Sequence, residues 1–256
     1  MNVSEYAPGV PCWVDLGSPD VEASKAFYSA LFGWAPQPSP PDAGGYTIFQ
    51  KGDSPVAAVG PLFTEGQPPA WMWYAATPDA EEVARRVEAS GGKVLIAPFD
   101  VLDAGRMAAF LDTSGTPFSV WQAGNFPGAM TVTEPGAFAW NELMTRDPDA
   151  AVDFYGRVLG WTAKVNANPD MPYTEFQLDG RSIAGMMPMI GDAWPADLPD
   201  HWMVYFAVED CDAACEKVKE LGGPVSVPPT DAPGVGRFAV VGDPTGAFFS
   251  VIALAG

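Results

Sequence analysis

Histidine is nearly missing from this chain: His201 is the single one in 256 residues. Divalent and transition metals in proteins are usually held by several imidazoles and carboxylates, so one histidine cannot rebuild an ordinary centre. Basic side chains are also scarce, 13 Lys and Arg against 32 Asp and Glu, which leaves a net charge of −19. Nucleic acid and anionic membrane surfaces both demand a basic footprint, so neither is expected as a partner, and the acidity serves solubility. Cysteine is limited to three residues. Cys211 and Cys215 stand i, i+4 in a helical pattern and Cys12 lies in an apolar strand pattern; buried reduced thiols are expected, with a Cys211–Cys215 metal pair as the other reading. No apolar run reaches the length of a membrane span. The opening Met1-Asn2-Val3-Ser4-Glu5-Tyr6 has neither the basic nor the apolar region of a signal peptide, which points to a cytoplasmic protein.

What is present is present twice. Ala26-Phe27-Tyr28-Ser29-Ala30-Leu31-Phe32-Gly33-Trp34 returns as Asp153-Phe154-Tyr155-Gly156-Arg157-Val158-Leu159-Gly160-Trp161, and Tyr46-Thr47-Ile48-Phe49 returns as Tyr173-Thr174-Glu175-Phe176. Both pairs share one offset, and a repeat of that length is a whole domain rather than a solenoid unit. Residues 1–123 and 136–256 are the two expected domains, each able to bury its own core, with the turn-rich stretch 124–135 as linker.

Each half divides again. Cys12 to Leu16 reads as a strand, and Ser18-Pro19-Asp20 as a helix start with Ser18 as N-cap and Pro19 in the first turn. Phe27, Ala30, Leu31 and Trp34 follow at helical period. A Pro-rich loop, 36–45, and short strands complete the unit. The order strand, helix, strands then restarts at Trp71, with Gly91-Gly92 closing the second helix, and the second half repeats the whole pattern. Four βαβββ modules, at about 11–63, 70–123, 137–190 and 201–254, make an α+β protein. A module with one helix covers only one face of its sheet, so paired modules leave the other faces around open, barrel-like clefts, the default place for a ligand.

The Phe-Tyr…Leu-Phe-Gly-Trp helix, its Phe154-Tyr155…Leu159-Gly160-Trp161 twin, and the turns Asp112-Thr113-Ser114-Gly115 and Asp243-Pro244-Thr245-Gly246 before the last strands carry a family resemblance. The chain resembles the vicinal oxygen chelate superfamily of glyoxalase I, bleomycin-resistance proteins, fosfomycin-resistance enzymes and extradiol dioxygenases. Its duplicated form is similar to actinobacterial glyoxalase-like proteins, some of which carry a hydroxylase label. The resemblance implies a divalent metal held by His, Glu or Gln on cleft strands. Carried over by position, those ligands fall on Trp13 and Trp140, on Met72 and Met203, and on Ser119 and Ser250. Strands 56–63 and 183–189 offer no His, Asp or Glu for the fourth. Trp cannot ligate, and Met and Ser suit these ions poorly, so no metal and no other cofactor is expected. Gly234-Val235-Gly236 is too short and wrongly placed for a nucleotide loop.

Strand alternation says what stands there instead. Cys12, Val14 and Leu16 suit the helix-packed face, which turns Trp13 and Asp15 toward the cleft. The twin strand sends Phe138, Trp140 and Glu142 the same way. Met72 and Tyr74, His201, Met203 and Tyr205, Ser119 and Trp121, and Ser250 join them. Such a surface of aromatics, methionines and isolated carboxylates suits a flat or apolar small molecule; the other reading is that the clefts have collapsed and these side chains fill core. Asp15 and Glu142 are candidate acid–base groups if burial raises their pKa, or carboxylates anchoring nearby chain. His201 is a candidate catalytic imidazole or a rim residue. Arg106 and Arg237 occupy matching hairpin places, and Asp112 and Asp243 read as turn caps. Two functions follow: a metal-free binder of an apolar or aromatic metabolite, or a metal-independent isomerase, lyase or hydroxylase-type enzyme working through Asp15, Glu142 or His201. A non-standard metal site around Glu142 or His201 and an oligomerisation role, such as a homodimer, stand behind them.

Overall fold

The structure, a computed structural model, describes residues 1–38, 43–64, 66–166, 172–192 and 194–255. The Pro-rich loop between 36 and 45 lies partly outside the described residues. The first half runs β1 (Pro11–Ser18), α1 (Val21–Phe32), β2 (Ala35–Pro36), β3 (Thr47–Lys51), β4 (Ser54–Pro61), β5 (Ala70–Ala76), α2 (Ala80–Ala89), β6 (Lys93–Val101), β7 (Gly105–Leu111) and β8 (Pro117–Ala123). The second half repeats it: β9 (Phe138–Thr145), α3 (Pro148–Leu159), β10 (Thr162–Asn166), β11 (Tyr173–Leu178), β12 (Arg181–Pro188), β13 (His201–Ala207), α4 (Cys211–Glu220), β14 (Val225–Ala232), β15 (Gly236–Gly242) and β16 (Phe248–Leu254). These are the four expected βαβββ modules.

Within a half, two modules join edge to edge. The opening strands pair antiparallel, β1 with β5 and β9 with β13, giving eight-stranded mixed sheets in the orders β2-β3-β4-β1-β5-β8-β7-β6 and β10-β11-β12-β9-β13-β16-β15-β14. The two sheets meet back to back: β5 approaches β13 and β16, while α2 packs on α3 and α1 on α4 at the flanks. The inner faces are therefore sealed and the outer faces look away from the partner half.

One buried cluster runs through both halves, where separate cores were expected. Trp73 of the first half packs on Trp161 and Trp202 of the second, with ring centroids 5.6 and 4.8 Å apart. Phe206 of the second half packs on Phe32, Trp34 and Trp71 of the first. Polar contacts cross in matched pairs. Tyr28 donates to Asp243 and Tyr155 to Asp112, each at 3.0 Å, while Trp71 and Trp202 donate to those same tyrosine oxygens. Trp34 Nε1 reaches the Gly136 carbonyl and Trp161 Nε1 the Gly9 carbonyl.

Two local readings change. Asp20, not Ser18, caps α1, accepting from the Ala23 amide at 3.0 Å; its longer carboxylate reaches that donor while Ser18 turns inward to Ser24. Phe138 faces the inner core rather than the outer face. The register slips at Ala139, so that Tyr205 pairs with Trp140 but Phe206 with Phe138, and one extra residue reverses the alternation. The stretch 124–135 is built into the first half: Ala129 N donates to Cys12 O, and Met130 N to Pro55 O. The three cysteines are free and buried, as read from sequence.

Candidate functional site

On each outer face, beside the strand positions to which the resemblance carries the metal ligands, a carboxylate sits among aromatic hydroxyls. Asp15 on β1 lies opposite Met72 of β5 and diagonal to Tyr74, which pairs with Trp13. Its Oδ2 accepts from the Tyr46 hydroxyl at 3.0 Å and from the Tyr74 hydroxyl at 2.8 Å. Trp13 Nε1 donates to the Tyr46 oxygen at 2.9 Å, and the buried Ser119 adjoins Tyr74. The second half builds the same group. Tyr205 donates to Glu142 at 2.7 Å, Trp140 Nε1 to the Tyr173 oxygen at 3.0 Å, the Tyr173 hydroxyl is turned to Glu142, and the buried Ser250 adjoins Tyr205.

Burial sets the electrostatics. Among the described residues no cation shifts either carboxylate, and desolvation outweighs the tyrosine hydrogen bonds, which favour the ionised form. Asp15 is pushed up to about 6. Glu142 is raised for the same reason. Tyr46, Tyr74 and Tyr205 are held far above the ordinary phenol value, first by burial and then by the neighbouring carboxylate. All three stay neutral donors at any physiological pH.

These residues do not fit a metal. Each carboxylate is alone, its bonding oxygen already takes tyrosine hydroxyls, and the flanking positions present indole, thioether and serine. Among the described residues no three His, Cys, Asp or Glu side chains converge.

The predicted positions are thus brought together in two groups: Trp13, Asp15, Tyr74 and Ser119 in one, Trp140, Glu142, Tyr205 and Ser250 in the other. Met72 lies half-buried beside the first and Met203 buried beside the second. Trp121 packs near Trp13 through Phe126. His201 stays apart. It sits opposite Met144 at the start of β13, partly exposed, and its Nδ1 lies 2.9 Å from the Pro199 carbonyl. Arg106 is occupied by Glu81 and Asp100, and Arg237 by Asp212 and Asp231, so both tie a helix start to a sheet edge.

Tyr46 and Tyr173 were missed as site residues, although their repetition at the shared offset was the signal. The outer faces also differ. In the second half Met144, Met189, Met203, Tyr205 and Ile252 form a separate cluster, with Trp140, Trp194, Leu198 and Phe238 partly exposed around it. In the first half Phe126 lies edge-on to Trp13, 4.8 Å between centroids. Two concavities lie elsewhere: about 260 Å³ at the seam of the halves, lined by Gly9, Asp79, Arg86 and Leu159, and about 240 Å³ beside Arg106.

The family model described as "Glyoxalase/Bleomycin resistance protein/Dioxygenase superfamily" matches residues 12–120 and again 137–251. CFP32 of Mycobacterium tuberculosis, provisionally named a glyoxylase, is 41% identical over 257 residues, covering 97% of this chain and 96% of that one. The anthracycline biosynthesis protein DnrV of Streptomyces peucetius is 42% identical over 269 residues, covering 98% and 96%. Among solved structures, the Mn(II)-bound glyoxalase of Novosphingobium aromaticivorans superimposes with a TM-score of 0.67 at 18% identity, over 96% of this chain and 82% of that one. At that identity the likeness is one of fold.

Proposed function

Since the chain belongs to the glyoxalase/bleomycin resistance protein/dioxygenase superfamily, yet carries in each half a carboxylate held by tyrosine hydroxyls with no metal-ligand cluster among the described residues, we propose that it binds a flat aromatic metabolite without metal. The observation that carries this reading is the second outer face. Half-exposed Trp140, Trp194 and Phe238 surround buried methionines, beside Glu142 with its tyrosine hydroxyls. Aromatic faces stack on a planar ligand, thioethers adapt to its outline, and the carboxylate accepts from a ligand hydroxyl. The kinship with an anthracycline biosynthesis protein supports a polycyclic aromatic as the ligand class. Titration of 2,6-dihydroxyanthraquinone, a planar probe without a chelating hydroxyl–carbonyl pair, tests the proposal. Saturable quenching of tryptophan fluorescence, unchanged by chelator, is the expected result; no binding, or binding abolished by chelator, contradicts it.

A second reading has its own support. Burial raises Glu142, and Asp15 reaches about 6, inside the range useful for proton transfer near neutral pH. Metal-independent acid–base catalysis on such a ligand would persist in chelator and fall steeply in Glu142→Gln. Turnover indifferent to that change removes this reading.

A further inference from the structure

Resting on that reading of the outer faces, we infer that the two halves are not equivalent binding units: the second half takes the aromatic ligand and the first has its own chain in the corresponding place.

In the first half the segment after β8 folds back over the sheet. Gly128 passes so close to β1 that a Cβ there would stand 2.3 Å from the Cys12 carbonyl oxygen, at a φ of +115° that disfavours any side chain. The amides of Ala129 and Met130 then bond to Cys12 and Pro55. This places Phe126 against Trp13 and Trp121, and Trp121 Nε1 donates to the Phe126 carbonyl at 2.7 Å. An aromatic ring from the chain thus occupies the place beside Trp13 that a ligand ring would take. Trp13 is 3% and Trp121 7% exposed as a result, and both join the main core.

In the second half Ile252 stands on the last strand where the first half has Trp121, and Trp140 remains half-exposed. The covering chain comes from elsewhere. The β12–β13 connection, 189–200, is longer than its counterpart 62–69. It is braced by Arg146 on the Pro195 carbonyl and by Thr145 on Asp200. Trp194 and Leu198 from this connection pack on the methionine cluster, as do Trp140 and Phe238 of the sheet. Methionines packed against partly exposed aromatics can shift rotamer to admit a planar molecule, whereas the Trp121–Phe126 pair cannot move without breaking the hydrogen bond from Trp121 Nε1 to the Phe126 carbonyl.

The test is a titration of the full chain with 2,6-dihydroxyanthraquinone, read by equilibrium dialysis for stoichiometry and by fluorescence for affinity. One molecule per chain is expected. Trp194→Ala and Phe238→Ala, both at partly exposed positions, should each weaken binding about tenfold, and Trp194→Phe should restore most of it. Met72→Ala and Phe126→Ala should leave that affinity unchanged. Two molecules per chain, or loss of binding in Met72→Ala with Trp194→Ala unaffected, overturns the inference while leaving the aromatic-binding reading intact. Absence of any binding removes both. A dimer that dissociates in Trp194→Ala would make the face a subunit interface and overturn the inference as well.

Discussion

At the scale of single residues, the site is governed by what burial does to a lone carboxylate. The folded pKa of Asp15, about 6, lies above its ordinary value of 3.8. Protonation therefore favours the folded state: this contribution is full below pH 4 and is lost as the pH rises through 6. Asp15→Asn keeps an acceptor for both tyrosine hydroxyls and removes the titration. Between pH 4 and 7 the wild type is expected to lose about 2–3 kcal/mol relative to the variant in denaturant titrations; parallel pH profiles would contradict the assignment. Asn141 makes a second case. It is fully buried on the inner face of β9, and neither of its side-chain polar atoms has a hydrogen-bond partner among the described residues. Val14 holds the matching place in the first half, so Asn141→Val is expected to stabilise the protein by about 1–2 kcal/mol. A loss of stability would show that Asn141 has a partner of its own.

At the scale of elements, the strands and helices were legible because each carries its period and its punctuation. Phe27, Leu31 and Trp34 mark a helix face, Gly33 takes the left-handed cap at φ 72°, and the alternation of Trp13 and Asp15 with Cys12 and Val14 marks a strand. The alternation failed at Phe138, where the slip at Ala139 has no residue signature. Asp112 and Asp243 were legible only in part. Their Oδ1 atoms cap the turn amides as read, but their Oδ2 atoms accept from tyrosines of the opposite half, a contact more than a hundred residues away for Asp243 and Tyr28. No local pattern can signal such a pairing. Each crossing ties a helix of one half to a turn of the other and leaves a buried Trp Nε1 and a carboxylate stranded when removed. Tyr28→Phe and Tyr155→Phe are therefore each expected to cost about 1–3 kcal/mol in chemical denaturation; the expectation fails if both variants unfold like the wild type.

At the scale of the whole molecule, duplication has produced one body. Trp73, Trp161, Trp202 and Phe206 belong to a single core that neither half can complete alone. Calorimetry is expected to show one cooperative transition with equal calorimetric and van't Hoff enthalpies, and residues 136–256 expressed alone should not fold; two resolved transitions would argue for independent halves. No helix among the described residues is long and apolar enough to cross a membrane. The same doubling puts a carboxylate held by tyrosine hydroxyls on the outer face of each half. Calorimetric titration of the purified, chelator-treated protein with Mn²⁺ and Zn²⁺ tests this most directly. The tyrosine-bound Asp15 and Glu142 predict no stoichiometric uptake of either ion. One or two equivalents bound at micromolar affinity or tighter, and lost in Asp15→Asn or Glu142→Gln, would contradict the account.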